Sequence, residues 1–232
     1  TSLKRTLIEK EIISNINKTI ATSLDIRESF SDICGELKKI IPFDRACLIT
    51  SNEQGQWFQV FALTKNYNFS EINEGECFPI SGSLLEEIIK TGEPVIVNNT
   101  QTGRFWTDRV LYKERIHARL GFPLTYKGKV LGALTFGSEK SNSFSEQCYY
   151  YLWQLAPQLA IALENTKLFN RIKASEERYK TLFNHAADSM VMIDLNGKIL
   201  TVNQREEEII GYKMEELLGK YIYDLLPGSS KK

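Results

Sequence analysis

Four cysteines and two histidines are the side chains of this 232-residue chain best suited to nucleophilic or metal chemistry, and their spacing favours neither. Cys34, Cys47, Cys77 and Cys148 stand far apart, with no CxxC pair and no Cys/His pairing at zinc spacing. Cys34, Cys47 and Cys148 each sit among apolar neighbours, which predicts small buried hydrophobes. His117 has no second ligand at useful spacing, so a core or surface histidine is expected before a haem or metal role. The carboxylates Glu206, Glu207 and Glu208 could suggest acid–base work, but on a short helix they read as a solvated face. Lys38-Lys39 and Lys231-Lys232 read as ordinary exposed pairs. No Gly-rich phosphate loop, nucleophile elbow or metal motif occurs. The chain is read as non-enzymatic, and no cofactor can be named.

Composition narrows the partners. Lys+Arg and Asp+Glu number 29 each, so no global charge argues for nucleic acid or an anionic membrane. No apolar run approaches the roughly 20 residues of a membrane span, and no signal-peptide pattern opens the chain. Free thiols without a signal predict a reducing, cytoplasmic location. The chain starts at Thr1 without a methionine and closes on Ser229-Ser230-Lys231-Lys232, so a fragment of something longer is expected.

The element that would position everything else is a glycine-free run at 144–183. Ser143-Phe144-Ser145-Glu146 has capping-box spacing and marks its start. Cys148, Leu152, Leu155, Leu159 and Leu163 form a stripe that packs on the first domain. Ile161, Asn165, Leu168, Ile172, Ser175, Tyr179 and Leu182 then alternate steps of four and three, the seam of two paired helices. Asn165 and Ser175 weaken that seam but can fix its register, and Pro157 predicts a kink. A solvated helix touching nothing beyond its own chain is the plainer alternative.

Around this rod the pattern is mixed. Residues 1–24 read as an amphipathic helix, and Asp25 as the N-cap of a second helix that ends at Pro42. Strands are expected at 46–50, 57–63, 78–80 and 95–97, with a short helix at 82–90 stopped by Gly92. Residues 98–115 read as a loop with a short helix. A hairpin follows at 119–126 and 130–136, where Gly132 and Gly137 permit a bulge or close backbone approach. Residues 190–193 and 198–202 flank Asp194-Leu195-Asn196-Gly197, a second hairpin signal. Short helices at 204–210 and 214–218 and an apolar piece at 221–226 close the chain. This order predicts α+β domains on antiparallel sheets.

Several stretches carry a family resemblance. Ile41-Pro42-Phe43-Asp44-Arg45-Ala46, Gly121-Phe122-Pro123-Leu124, the run from Lys127-Gly128-Lys129 to Leu134, and Phe144-Ser145-Glu146 leading to Leu155-Ala156-Pro157 and Glu164-Asn165 occur in one order. Through them residues 11–170 resemble a GAF domain, whose body is placed at 25–165. Ser175-Glu176-Glu177-Arg178-Tyr179, Ile193-Asp194-Leu195-Asn196-Gly197, Val202-Asn203 and Gly211-Tyr212-Lys213-Met214-Glu215-Glu216-Leu217-Leu218-Gly219-Lys220 resemble the opening half of a PAS domain. That partial domain is placed at 184–232, with residues 166–183 as the connecting signalling helix. Residues 187–232 are then expected to be loosely held, or to complete themselves against another chain through an open edge.

The resemblance implies a cytoplasmic sensory module, of the kind found upstream of histidine kinases, cyclic-dinucleotide enzymes or transcription activators. It implies a homodimer paired along the seam, and a possible small-molecule ligand held between the sheet and residues 98–115. Phe58, Phe61, Phe105, Trp106, His117 and Phe122 are the candidates to line that pocket. The alternative is a structural dimerisation spacer whose aromatics fill the cavity. The cyclic-nucleotide signature of some GAF domains is absent, and His117 lacks the neighbouring cysteine that bilin binding implies. A less favoured enzymatic rival is the GAF-type reductase of free methionine sulfoxide. Cys77 lies near one of its cysteines, but Arg115-Ile116-His117-Ala118 stands where its nucleophile would be.

Overall fold

The computed structural model describes residues 2–52, 54–64 and 72–225, with side chains from residue 6 onward. The expectations for residue 226 and for residues 229–232 lie outside them. The chain divides into two units, Thr1–Lys167 and Leu168–Lys232.

The first unit is built on six antiparallel strands in the order β3-β2-β1-β6-β5-β4. These are β1 (Arg45–Ser51), β2 (Trp57–Leu63), β3 (Cys77–Pro79), β4 (Val95–Val97), β5 (Ala118–Tyr126) and β6 (Lys129–Ser138). Helices α1 (Ser2–Thr22), α2 (Ile26–Leu37) and the amino-terminal half of α5 (Gln147–Asn184) cover one face. The other face carries α3 (Leu84–Thr91) and α4 (Trp106–Lys113). The expected α+β class with an antiparallel GAF-type sheet holds.

Strand periodicity assigns the two faces. Along β5, Ala118, Leu120, Phe122 and Leu124 point to the α1/α2/α5 side, leaving Arg119, Gly121 and Pro123 for the other. Leu152, Leu155, Leu159 and Leu163 of α5 are buried against the first of these faces. Each such side chain contributes on the order of 1.5–3 kcal/mol. Asp25 caps α2 as expected, its carboxylate accepting from Arg27 N at 2.9 Å. Farther along α5, the Thr166 hydroxyl accepts from Ile26 N at 3.1 Å, fixing the start of α2 to that helix.

Two expectations need correction. Helix α5 begins at Gln147, not at Phe144, because the Ser143 hydroxyl is engaged elsewhere. It donates to Lys140 O at 2.7 Å and to Ser138 Oγ at 2.9 Å, so no capping box forms. In β2, alternation breaks where Leu48 pairs with Ala62 and Ile49 with Val60, leaving Phe61 as an extra residue. This bulge leaves Ala62 on the same face as Phe61, toward α1, α2 and α5, where Phe61 already lies by alternation from Phe58. Elsewhere, β4 and α6 (Gln204–Ile210) have the expected bounds. Pro157 lies inside α5, which nevertheless runs as one helix.

The second unit holds the hairpin of β7 (Val191–Ile193) and β8 (Ile199–Val202), together with α6 and α7 (Met214–Leu217). Its fully buried Asn203 organises the chain around it. The amide donates to Phe183 O at 3.1 Å and Asp188 O at 2.9 Å, while Oδ1 accepts from Met190 N and Glu206 N. Ile199, Val202 and Leu217 form the small core beside it. Among the described residues, no helix is long and apolar enough to cross a membrane.

Candidate functional site

On the α3/α4 face of the first sheet, the interior is not uniformly apolar. Arg45 on β1 and Arg119 on β5 both point inward, with side chains only 5% and 7% exposed. Each meets an acid of α4 or of its carboxyl-terminal cap. Arg45 Nη1 pairs with Glu114 Oε2, and its Nη2 donates to Ile72 O at 2.8 Å. Arg119 Nη1 donates to Asp108 Oδ1 at 2.9 Å and to Thr107 Oγ1 at 2.6 Å.

Helix α4 is placed to make this possible. Asp108 Oδ2 accepts from Phe105 N at 3.0 Å, closing the helix's first turn with a charged cap. Trp106 N donates to Gly82 O at 3.2 Å, fixing the same end near the start of α3. At the other end Arg115 takes φ 64°, a left-handed conformation that stops the helix without glycine. Thr107, Leu111 and Glu114 then share one helical face toward the sheet. Helix α3 comes close because Gly121 has no side chain. A Cβ there would lie 2.2 Å from Leu84 Cδ2 and 2.7 Å from Ile88 Cδ1.

Between α4 and the sheet lies a cavity of about 50 Å³. Arg45, Arg119, Thr107 and Thr135 give it polar wall, while Ile49, Phe58, Ile72 and Leu111 give it apolar wall. Cys47 also faces it, and burial pushes that thiol up to about 12 against the pull of Arg45. Burial likewise lowers Arg119, an effect that Asp108 opposes. Its Nε is buried and has no hydrogen-bond partner among the described residues.

Only Phe58 of the six expected pocket residues lines this cavity. Trp106 stacks on it at 6.3 Å between ring centroids, and Phe78 completes an aromatic cluster with both. Phe105 is buried in the same core as the residue before α4. His117 stands half-buried, its ring edge against Tyr112 at 5.2 Å. Phe61 and Phe122 were expected in the pocket but lie across the sheet, both through strand alternation, Phe61 standing three residues from Phe58. Phe122 packs there against Tyr149 and Trp153 of α5.

Arg45, Arg119, Asp108 and Glu114 were not among the expected site residues. A charge on an otherwise apolar strand, and acids at both ends of the α4 face bearing Leu111, were the available signals. The seam residues Ile161, Asn165, Leu168, Ile172, Tyr179 and Leu182 are all exposed on α5. No group of His, Cys, Asp and Glu suited to a metal ion occurs among the described residues.

Residues 23–164 match the family model of the GAF domain. The chain belongs to the GAF family. Residues 177–232 match the model of the PAS fold, and a GAF domain followed by PAS sequence is the make-up of a sensory signalling module. A methyl sulfide methyltransferase-associated sensor of Methanosarcina acetivorans is 26% identical over 141 residues. That match covers 59% of this chain but only 14% of the relative. The GAF domain of a two-component sensor histidine kinase from Bacillus halodurans aligns with a TM-score of 0.56 and 19% identity. It covers 64% of this chain and 99% of its own. Free methionine-R-sulfoxide reductase from Neisseria meningitidis, solved with its substrate, gives 0.56 at 16% identity over 69% of this chain and 90% of its own. At these identities the likeness establishes the GAF fold alone.

Proposed function

We propose that this chain is the sensing part of a larger signalling protein, its GAF domain holding a small molecule between the sheet and α4. The observation that supports this reading most is the pair of buried arginines that wall the cavity while each is paired with an acid at one end of α4. A polar network in place of hydrophobic packing is a poor way to gain stability and a good way to recognise a ligand. Strand β5 supplies a route outward from the site. It carries Arg119 on the cavity side and, three residues on, Phe122 against α5 on the other. A ligand would bias α5 only by binding one arrangement of α4 and β5 more tightly than another.

From α5 the signal would pass to the PAS segment and to an output domain, a histidine kinase or a transcription activator, in the cytoplasm. The exposed heptad positions of α5 support parallel pairing with a second copy about a two-fold axis. Sedimentation at increasing concentration tests that pairing, and a monomer mass at every concentration contradicts it.

A purely structural spacer is the second reading, and the cavity's volume favours it. About 50 Å³ is well below the roughly 300 Å³ at which ordinary small-molecule pockets begin. Thermal denaturation of the chain against a metabolite library separates the two: a stabilising hit supports the sensor, and none supports the spacer. The chain is read as no enzyme. Cys47 remains a protonated thiol near neutral pH, the wrong state for a nucleophile, and Cys77 is exposed on β3. Thiol-dependent turnover of methionine sulfoxide would overturn that reading.

A further inference from the structure

Resting on the sensor reading above, we infer that the occupant of the α4 cavity is a short-chain monocarboxylate, bound through the unpartnered edge of Arg119. The guanidinium's Nη1 is taken by Thr107 and Asp108, but Nε, on a side chain 93% buried, has no acceptor among the described residues. A buried N–H of a charged group without an acceptor is costly, and a carboxylate is the acceptor whose geometry matches the planar guanidinium edge.

Charge agrees with geometry. Asp108 divides its carboxylate between Arg119 and the amino terminus of α4, where Phe105 N also donates to it. The positive end of that helix therefore offsets part of the Asp108 charge, leaving Arg119 incompletely neutralised. The lowered Arg119 pKa has the same sense, since burial outweighs what Asp108 returns. Ile49, Phe58 and Leu111 line the same cavity and offer an apolar wall to a short alkyl group.

Volume sets the length. About 10–15 Å³ of such space holds one water, so the cavity's 50 Å³ leaves room for on the order of four non-hydrogen atoms. Formate and acetate fit this limit, propionate marks its edge, and benzoate exceeds it.

The test is calorimetric titration of the chain with formate, acetate and propionate, and with acetamide and propionamide as uncharged isosteres, at fixed pH and ionic strength. Acetate is expected to bind at least about tenfold more tightly than acetamide. Arg119→Lys keeps a cation for Asp108 but removes the planar fork, and should weaken acetate about tenfold while leaving acetamide unchanged. Leu111→Phe fills the space without touching the charges and should abolish both, so the outcome does not depend on one variant folding. Amides binding as well as carboxylates would overturn the carboxylate assignment and leave the sensor reading standing. No heat from any carboxylate, together with a library hit of another class, does the same. No heat from any compound, here or in the library, would overturn both.

Discussion

The two faces of the six-stranded sheet are built from alternate residues of the same strands, yet they are made differently. Toward α1, α2 and α5 the interior is a contiguous apolar cluster that includes Phe30, Leu48, Phe122, Leu134 and Leu155. Toward α3 and α4 it holds two buried ion pairs and a cavity. Close packing is the ordinary source of stability, whereas a buried ion pair is often no better than apolar residues of equal volume. The difference therefore separates a face that holds the domain together from one whose polar groups serve another purpose.

The largest expected effect is on the polar face. Arg119→Met leaves Asp108 charged and buried, and should cost about 3–5 kcal/mol in a denaturant titration. On the apolar face, Leu155→Ala should cost about 2–5 kcal/mol, with most of the spread set by how far the site can collapse. If Arg119→Met cost under about 1 kcal/mol, water would have to reach the pair, and the contrast between faces would fail.

Also on the α3/α4 face stands Gly121, where the sheet admits Leu84 and Ile88 of α3. Gly121→Ala should cost about 1–3 kcal/mol by overpacking, while the surface change Gly35→Ala, with open space around it, should not destabilise. Alkaline pH offers a gentler probe. Burial raises the Cys34 and Cys47 thiols above the ordinary value of 9.0, so the folded state keeps protons that the unfolded chain loses. Their contribution is complete below pH 9.0 and is lost as pH rises through the folded values. At pH 10 the loss should be about 1.4 kcal/mol per thiol, and replacing Cys47 by alanine should flatten the stability profile over that range.

Legibility in the sequence divided along the same line. Elements governed by local chemistry could be read directly: the Gly92 stop of α3, the Asp25 cap, the bounds of β4 and α6, and the leucine stripe of α5. Features decided by distant partners could not. Ser143 has the right neighbours for a capping box, but Ser138 and Lys140 take its hydroxyl. Ala62 shares a face with Phe61 because of a bulge against β1, and no periodicity within β2 announces it, whereas the place of Phe61 follows from alternation with Phe58. Arg45 meets Glu114 across 69 positions of sequence, so neither charge carries a local sign of its partner. The aromatic residues stood out by type, and only Phe58 reached the cavity wall.

The polar face is held here to be kept for recognition and not for stability, and one double replacement tests that most directly. Arg119→Met combined with Asp108→Asn removes both charges while keeping an acceptor for Phe105 N. Denaturant unfolding should place this variant within about 1 kcal/mol of the original chain, with the calorimetric response to acetate gone. A variant as unstable as Arg119→Met alone, or one that still takes up acetate, would contradict the account.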